Sequence, residues 1–143
     1  MATCTMTEST TPSMYEDVAK FHREILGVEF PLVITLKERE WILERFRFLN
    51  EEADEFLEAG LTSDLVKTVD GLLDIVYVAL GTLYYMGVPV PECWNAVQKA
   101  NMAKIRGMTK RGNVDDAVKP YGWVGPEQEI AAACLKVINK DLE

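Results

Sequence analysis

The sequence predicts an all-α fold, a bundle of four to five helices. Helix start and stop signals are clear along the chain, and apolar residues recur between them at helical spacing. The longest apolar stretch, residues 68–88, lacks the period-two alternation of a strand. The length of 143 residues is typical of one domain. We expect a flexible tail over residues 1–12, which are rich in Thr and Ser, and a single domain over residues 13–143.

The first two helices are predicted from capping boxes. Residues 13–16 begin with Ser and end with Glu, the capping-box pattern, and Gly27 is placed to end the helix that follows. A second match at residues 35–38 predicts a helix over residues 36–59, with Gly60 as its C-terminal cap.

The third and fourth helices flank a proline-rich segment. Thr62 or Ser63 is expected to cap the third helix, which continues to Gly87, where a Val-Pro-Val-Pro run ends it. Pro91 fits the first turn of a fourth helix, which is predicted to reach Gly107.

The rest of the chain is predicted to form a loop and a fifth helix. Residues 107–126 hold four glycines and two prolines. Long loops of this kind in compact domains are commonly functional. Residues 127–138 have an amphipathic pattern, and we expect them to pack on the bundle or on a neighbouring subunit.

The composition argues against several classes of protein. A formal net charge of -8 disfavours a module that binds a nucleic-acid duplex. The single histidine, His22, excludes His-rich zinc sites and metal pairs built on histidines. Three cysteines without a Cys-x-x-Cys pair suit a reducing cytoplasm. Asp70 and Asp74 interrupt the one stretch of membrane-span length, which favours a buried helix of a soluble bundle.

Acidic residues cluster on the second and third helices. Glu55 lies four residues after Glu51 and three after Glu52, so these side chains project from one face and repel one another. Asp70 and Asp74 lie among apolar residues, where an unpaired ionised carboxylate is expensive to desolvate. Because helices joined by a short connection pack antiparallel, all five carboxylates are expected to converge.

A converging cluster would favour a metal ion. Oxygen ligands without His or Cys select Mg²⁺ or Mn²⁺, and bound Mg²⁺ is usually shared with substrate phosphates. Two simpler interpretations stay open. The glutamates can form a solvated acidic face, and the two aspartates can form a polar seam paired with Lys67, Arg45 or Arg47.

A basic segment lies downstream, since residues 99–114 contain no acidic residue. Its cations are Lys99, Lys104, Arg106, Lys110 and Arg111. Metal on one side and cations on the other would form a clamp for a polyphosphate. The alternative for each residue is a solvated helix end that complements the negative end of the helix dipole.

Three motifs in order resemble a known family. Residues 51–55 read Glu-Glu-Ala-Asp-Glu, residues 70–74 read Asp-Gly-Leu-Leu-Asp, and residues 101–104 read Asn-Met-Ala-Lys. Over about residues 15–125, the chain resembles the all-α nucleoside triphosphate pyrophosphohydrolase superfamily. It is most similar to its short, often phage-encoded, MazG-like members, which resemble phosphoribosyl-ATP pyrophosphohydrolase.

The resemblance implies a nucleotide diphosphohydrolase that requires Mg²⁺ or Mn²⁺, with two or more ions. It would convert a nucleoside triphosphate to the monophosphate and pyrophosphate. Many members have Glu where this chain has Gly71, and Asp70 is expected to take over from one turn away. The implied metal ligands are Glu51, Glu52, Glu55, Asp70 and Asp74. The implied catalytic groups are Glu51 or Glu52 as the base, and Lys104, which balances charge on the leaving group.

The resemblance also implies a substrate site. Asn101 and Lys104 fall on a family motif and are expected to reach phosphate, while Lys119 and Tyr121 lie in a loop like the one that closes over the substrate in phage members. The full set of expected substrate-binding residues is Asn50, Asn101, Lys104, Arg111, Lys119 and Tyr121. Base stacking or a core role is open for the aromatic residues Trp41, Phe48, Tyr77, Tyr84 and Trp94, and a structural role is favoured for His22.

The preferred substrate is expected to be a purine deoxynucleotide, dGTP first, in the cytoplasm, or the host cytoplasm if the chain is phage-encoded. One alternative is a non-catalytic helical protein that binds a basic partner through its acidic ridge. Another is the same fold acting on a nucleoside diphosphate, phosphoribosyl-ATP or a damaged nucleotide. Apolar residues on nearly all sides of the third helix predict a homodimer or homotetramer.

Overall fold

The computed structural model describes residues 13–112 and 115–140, with only the backbone described for residues 137–140. The all-α class is confirmed, with one short two-stranded ribbon added. The elements in order are α1 (Met14–Glu24), α2 (Arg39–Leu61), α3 (Leu65–Tyr85), α4 (Val90–Met102), β1 (Ile105–Gly107), β2 (Asp116–Val118) and α5 (Glu127–Lys140). The expected tail, residues 1–12, lies outside the described residues. None of the helices within them is long and apolar enough to cross a membrane.

Helix α1 begins as the sequence predicts. The backbone N–H of Glu16 donates to Ser13 Oγ at 3.2 Å, and the Ser13 N–H donates to Glu16 Oε2 at 2.8 Å, so the capping box is complete. The helix ends at Glu24, and Gly27 then turns the chain with a left-handed φ of 67° that glycine adopts without strain.

The predicted start of α2 is wrong. No capping box forms at residues 35–38, and α2 begins at Arg39 with Glu38 as a cap that makes no side-chain hydrogen bond. The Thr35 N–H instead donates to Met86 O at 3.1 Å, at the end of α3, and its hydroxyl donates to Val33 O. This tertiary contact holds residue 35 outside the helix. At the other end, α2 runs through Gly60 to Leu61.

The cap of α3 also differs from the prediction. Asp64 is the N-cap, and its Oδ1 accepts from the Lys67 N–H at 3.0 Å. Thr62 instead belongs to the end of α2, where its hydroxyl donates to Glu58 O at 2.9 Å, and Ser63 adopts a left-handed φ of 58°. Helix α3 ends at Tyr85, before Gly87 as expected.

Helix α4 is shorter than predicted. Pro91 lies in its first turn as expected, but the helix ends at Met102 and does not reach Gly107. Residues 105–107 form β1 and pair antiparallel with β2, with Ile105 opposite Val118. The predicted loop over residues 107–126 therefore contains a strand. Helix α5 is confirmed and packs on α4.

Helices α2 and α3 form the antiparallel pair that carries the fold. Near their connection, Gly60 approaches Thr68, whereas at the far end Arg45 donates to Thr82 Oγ1 and to Val78 O. Helix α1 packs on α3 and buries His22 and Tyr84 between them. The Tyr84 side chain is 0% exposed, and its hydroxyl donates to Val28 O at 2.9 Å.

We predict that Gly81→Ala destabilises the α1–α3 contact. A Cβ at position 81 would lie 2.7 Å from Cε1 and 2.9 Å from Nε2 of the buried His22 ring. Forcing this ring to shift should lower the free energy of unfolding by about 1–3 kcal/mol in urea titrations. Gly60→Ala is the control, because its nearest neighbour would be 4.0 Å away. It should gain up to about 1 kcal/mol, and an equal loss at both positions would contradict the contact.

Candidate active site

The packing of α2 against α3 brings the five predicted carboxylates close enough for the charges of the other four to act on Glu52. Partial burial raises the pKa of Glu52 above its ordinary value. Further increases in this pKa come from the negative charges of Asp74, Glu55, Glu51 and Asp70, in that order. Every member of the predicted cluster therefore acts on Glu52.

These carboxylates are not neutralised by the protein. Among the residues that the structure describes, the ion pairs are Lys99–Glu129, Arg106–Asp115 and Arg111–Asp116. None of these pairs includes a member of the cluster. The polar-seam interpretation, with Lys67, Arg45 or Arg47 as partners of the aspartates, therefore does not hold.

Arg45 has other contacts. Its Nε donates to Thr82 Oγ1 at 3.0 Å and its Nη2 donates to Val78 O at 3.2 Å. The guanidinium also lies 5.2 Å from the ring centroid of Phe48 and 5.6 Å from that of Tyr85. Burial lowers the pKa of Arg45 from its usual value, although a guanidinium stays charged at neutral pH.

Four of the five carboxylates line two cavities. A cavity of about 420 Å³ beside the α2–α3 connection is lined by Glu55 and Asp70, together with Lys67. A second cavity, of about 270 Å³, is lined by Glu52 and Asp74. Glu51 lines neither of them and is exposed on α2. The cluster thus spans the α2–α3 groove between the two cavities.

The donor set fits a hard divalent cation better than any other group. Every member is a carboxylate, and among the described residues none of the five forms an ion pair. Within residues 13–112 and 115–136, no three Asp, Glu, His or Cys side chains are yet arranged to hold an ion. Glu51, Glu55 and Asp70 are exposed, so their side chains can rotate toward a cation without displacing the core.

Gly71 explains the departure from the resembled motif. It is buried, and a Cβ added there would lie 3.1 Å from both Cα and N of Phe56 on the facing helix. The missing side chain lets α3 approach the backbone of α2 in the middle of the acidic face. A glutamate at this position would push the helices apart.

The second cavity is also lined by aromatic rings. This aromatic cavity has Glu52 and Asp74 on its acidic side and Arg45 as its cation. Its other lining residues include Phe21, His22, Phe48, Tyr77 and Tyr85. Sequence analysis missed Phe21 and Tyr85. In the sequence, Phe21 and Tyr85 stand out only as neighbours of His22 and Tyr84, and this does not predict that they line the same cavity.

The other candidate aromatic residues do not line this cavity. Tyr84 is a core residue, and Trp94 is 63% exposed on α4. The structural role expected for His22 is confirmed. Its Nδ1 lies 2.8 Å from Val18 O, and because a carbonyl only accepts, this nitrogen carries the proton.

Apart from Asn50 on α2, the predicted substrate-binding residues lie at and after the end of α4. Lys104 Nζ donates to Asn101 Oδ1 at 2.8 Å at the end of α4. Arg111 pairs with Asp116, whose pKa is lowered first by the Ala117 N–H and then by Thr109 and Arg111. Asn50 and Tyr121 are exposed.

A third cavity, of about 380 Å³, lies between α4 and the loop before α5. It contains Tyr121 and Trp123 but none of the five carboxylates, and neither acidic cavity contains Asn101 or Lys104. Within one chain, Asn101 and Lys104 therefore do not share a cavity with the carboxylates. Trp123, which lies over Lys104 and Lys119, was not identified from the sequence.

We predict that Glu52→Gln stabilises the protein when divalent cations are removed. The substitution removes a charge that repels Glu55 three residues away, a pair worth roughly 0.2–0.5 kcal/mol. The midpoint of thermal unfolding in chelator should therefore rise. With Mn²⁺ and a nonhydrolysable triphosphate, the wild type should gain stability and the variant should gain little.

Asp54→Asn provides the control for this measurement. Asp54 is exposed on the same helix, and its charge is not among those that raise the pKa of Glu52. The control should keep the stabilisation by Mn²⁺ and triphosphate. If Glu52→Gln instead unfolds at a lower temperature than the wild type in chelator, the prediction fails, because the Glu52 charge must then be compensated in the folded protein.

Comparison with known proteins identifies the family of this chain. The family model of phosphoribosyl-ATP pyrophosphohydrolase matches residues 29–101, just over half of the chain. The match contains α2, α3 and nearly all of α4, and so includes the five carboxylates and Asn101. No curated protein matches the chain. The chain belongs to the phosphoribosyl-ATP pyrophosphohydrolase family, and with it to the MazG-like all-α nucleoside triphosphate pyrophosphohydrolase superfamily.

Proposed function

We propose that this protein hydrolyses a purine deoxynucleoside triphosphate, dGTP first, to the monophosphate and pyrophosphate with Mg²⁺ or Mn²⁺. Family membership indicates a pyrophosphohydrolase that acts on a nucleotide. One observation carries the finer proposal: Glu52 and Asp74 border the same cavity as the rings of Phe48 and Tyr77. Carboxylates that could hold a phosphate-binding metal ion thus lie beside a surface on which a base can stack.

The aromatic cavity supports binding of a base. Phe48 and Tyr77 are 40% and 38% exposed, so their rings are accessible, and Tyr77 meets Phe21 edge to face at 5.6 Å. Ring stacking on bases is worth about 1–3 kcal/mol for each base. Residues of α1, α2 and α3 form the walls of this cavity.

Arg45 favours guanine over the other bases. Two of its five N–H donors are used by Thr82 and Val78, which leaves donors for a ligand. Guanine presents two neighbouring acceptors, O6 and N7, which arginine binds in bidentate geometry. Adenine presents an acceptor beside a donor and suits a guanidinium less well.

The carboxylates supply metal ligands and a base. Glu51, Glu52, Glu55, Asp70 and Asp74 would hold the divalent cations. Bound cations would supply neutralisation of the triphosphate and activation of water. Glu51 or Glu52 would then take the proton from the attacking water.

Asn101 and Lys104 supply the opposite side of the clamp. The Lys104 ammonium has three donors, and its described hydrogen bond to Asn101 uses one of them. The remaining donors can stabilise charge that develops on the pyrophosphate leaving group. Asn101 directs the lysine through its side-chain oxygen, so the two residues act together.

A second copy of the chain would cover the exposed apolar faces of α2 and α3. Many large apolar side chains of α2 and α3 stay exposed, among them Phe46, Leu57, Leu61, Leu65, Val66, Leu72 and Leu73. Monomers rarely leave such continuous apolar faces in water. A homodimer or homotetramer would bury them and bring additional cations toward the acidic groove.

We predict that Glu55→Gln and Asp74→Asn each lower the rate of triphosphate hydrolysis at least about 100-fold. Each substitution removes a proposed metal ligand but little volume, so the helical circular dichroism should survive. The measurement is release of pyrophosphate from dGTP with Mn²⁺, and Asp54→Asn is the control with near wild-type activity.

The same assay compares substrates. With dGTP, dATP, dGDP and phosphoribosyl-ATP at equal concentrations, dGTP should give the highest kcat/KM and dGMP with pyrophosphate as products. Preference for phosphoribosyl-ATP would retain the family's reaction but reject the proposed substrate. Wild-type turnover retained in both variants would reject the metal assignment, and no hydrolysis at all would favour a non-catalytic helical protein.

We predict a homodimer or homotetramer in light scattering at micromolar concentration. Leu72→Lys places a charge on the exposed apolar face of α3, where the leucine is 44% exposed. This variant should shift the mass toward the monomer because a buried charge without a partner is expensive. Lys20→Glu on the exposed side of α1 is the control. A monomeric wild type would contradict this assembly.

A further inference from the structure

Two lysines flank the open end of the β1–β2 ribbon. Ile105 pairs with Val118, and Lys104 and Lys119 are the next residues outward along the two chains. Both ammonium groups lie within 6 Å of the centroid of one ring, that of Trp123, so the two like charges repel one another. Neither lysine belongs to an ion pair among the residues that the structure describes. The repulsion between them is therefore not relieved by a carboxylate.

Two arginines of this segment form ion pairs. Arg106 pairs with Asp115, and Arg111 pairs with Asp116. These arginines are neutralised within the ribbon and its turn. Lys104 and Lys119 form no ion pair, so they offer two neighbouring positive charges to an anion, whereas Lys110, also without an ion pair among the described residues, lies near the turn of the ribbon.

Trp123 holds both lysines. Lys119 Nζ lies 4.6 Å from the ring centroid and Lys104 Nζ lies 5.4 Å from it. Both distances are within the range of cation–π attraction, about 6 Å. The ring quadrupole stabilises the ammonium groups without cancelling their charge, unlike a carboxylate partner.

The ring itself is fixed to the bundle. Trp123 is half-buried, and its Nε1–H donates to Ala100 O at 2.8 Å, in the last turn of α4. Its backbone N–H donates to Pro120 O at 3.0 Å, closing a turn through Gly122, whose φ is 76°. Helix α4 therefore positions Asn101 directly and the two lysines through Trp123.

We propose that Trp123 is a positioning residue that orients Lys104 and Lys119 to bind the phosphates of the substrate together. This inference rests on the proposed function and extends it to a residue outside the family match. An anion bound between the two ammonium groups would relieve the repulsion between them. The tryptophan gives affinity by holding the lysines in place before the polyphosphate arrives.

The first test measures binding without catalysis. Full-length protein is titrated with inorganic tripolyphosphate by calorimetry in the absence of divalent cations. Trp123→Leu should weaken binding roughly tenfold, since two cation–π contacts are lost. Trp123→Phe, which keeps a weaker ring, should fall between it and the wild type. Trp94→Leu, at an exposed position on α4, is the control and should bind as the wild type does.

The second test separates positioning from a structural role. The Trp123→Leu substitution is repeated in a Lys104→Met, Lys119→Met background. A positioning residue should have little further effect there, because the groups through which it acts are gone. In hydrolysis of dGTP, Trp123→Leu alone should raise KM about tenfold and change kcat less than about threefold.

The outcomes decide between the two proposals. Equal losses from Trp123→Leu with and without the lysines, or unchanged tripolyphosphate affinity, would overturn the inference. If the leucine variant does not fold, as judged by circular dichroism, the phenylalanine variant decides in the same way. Absence of wild-type hydrolysis would overturn the proposed function, and the tripolyphosphate titration would still decide the role of Trp123.

Discussion

The close approach of α2 and α3 at Gly71 sets the chemistry of this protein. With no side chain at this position, the α3 backbone lies against Phe56, and the acidic faces of the two helices meet across one groove. Five carboxylates then lie near one another, and none of them forms an ion pair within the part of the chain that the structure describes. Charge repulsion of this kind lowers the stability of the fold, and the proposed divalent ions would relieve it.

Aromatic rings hold three of the positively charged side chains. Arg45 is held against aromatic rings and the α3 backbone at the aromatic cavity, and two of its five N–H donors are used by Thr82 and Val78. Lys104 and Lys119 are held by an aromatic ring at the end of α4. In both places an aromatic surface orients the cation and leaves its charge available. Carboxylates neutralise the arginines that lie in the ribbon.

The sequence predicted the parts that depend on local signals. The capping box at Ser13, the proline start of α4 and the paired carboxylates on two helices could all be found from spacing alone. The start of α2 was wrong because Thr35 is held by Met86 from α3, a contact that no local pattern encodes. The β1–β2 ribbon and the Trp123 contacts are long-range for the same reason. The aromatic cavity needed the packing of three helices to become visible.

The most direct measurement is anomalous scattering from Mn²⁺ in crystals grown with a nonhydrolysable dGTP analogue. We expect manganese in the α2–α3 groove, coordinated by Glu52, Glu55 and Asp74 and by phosphate oxygens, with guanine in the aromatic cavity. Manganese bound elsewhere, with these three carboxylates facing water, would contradict the account.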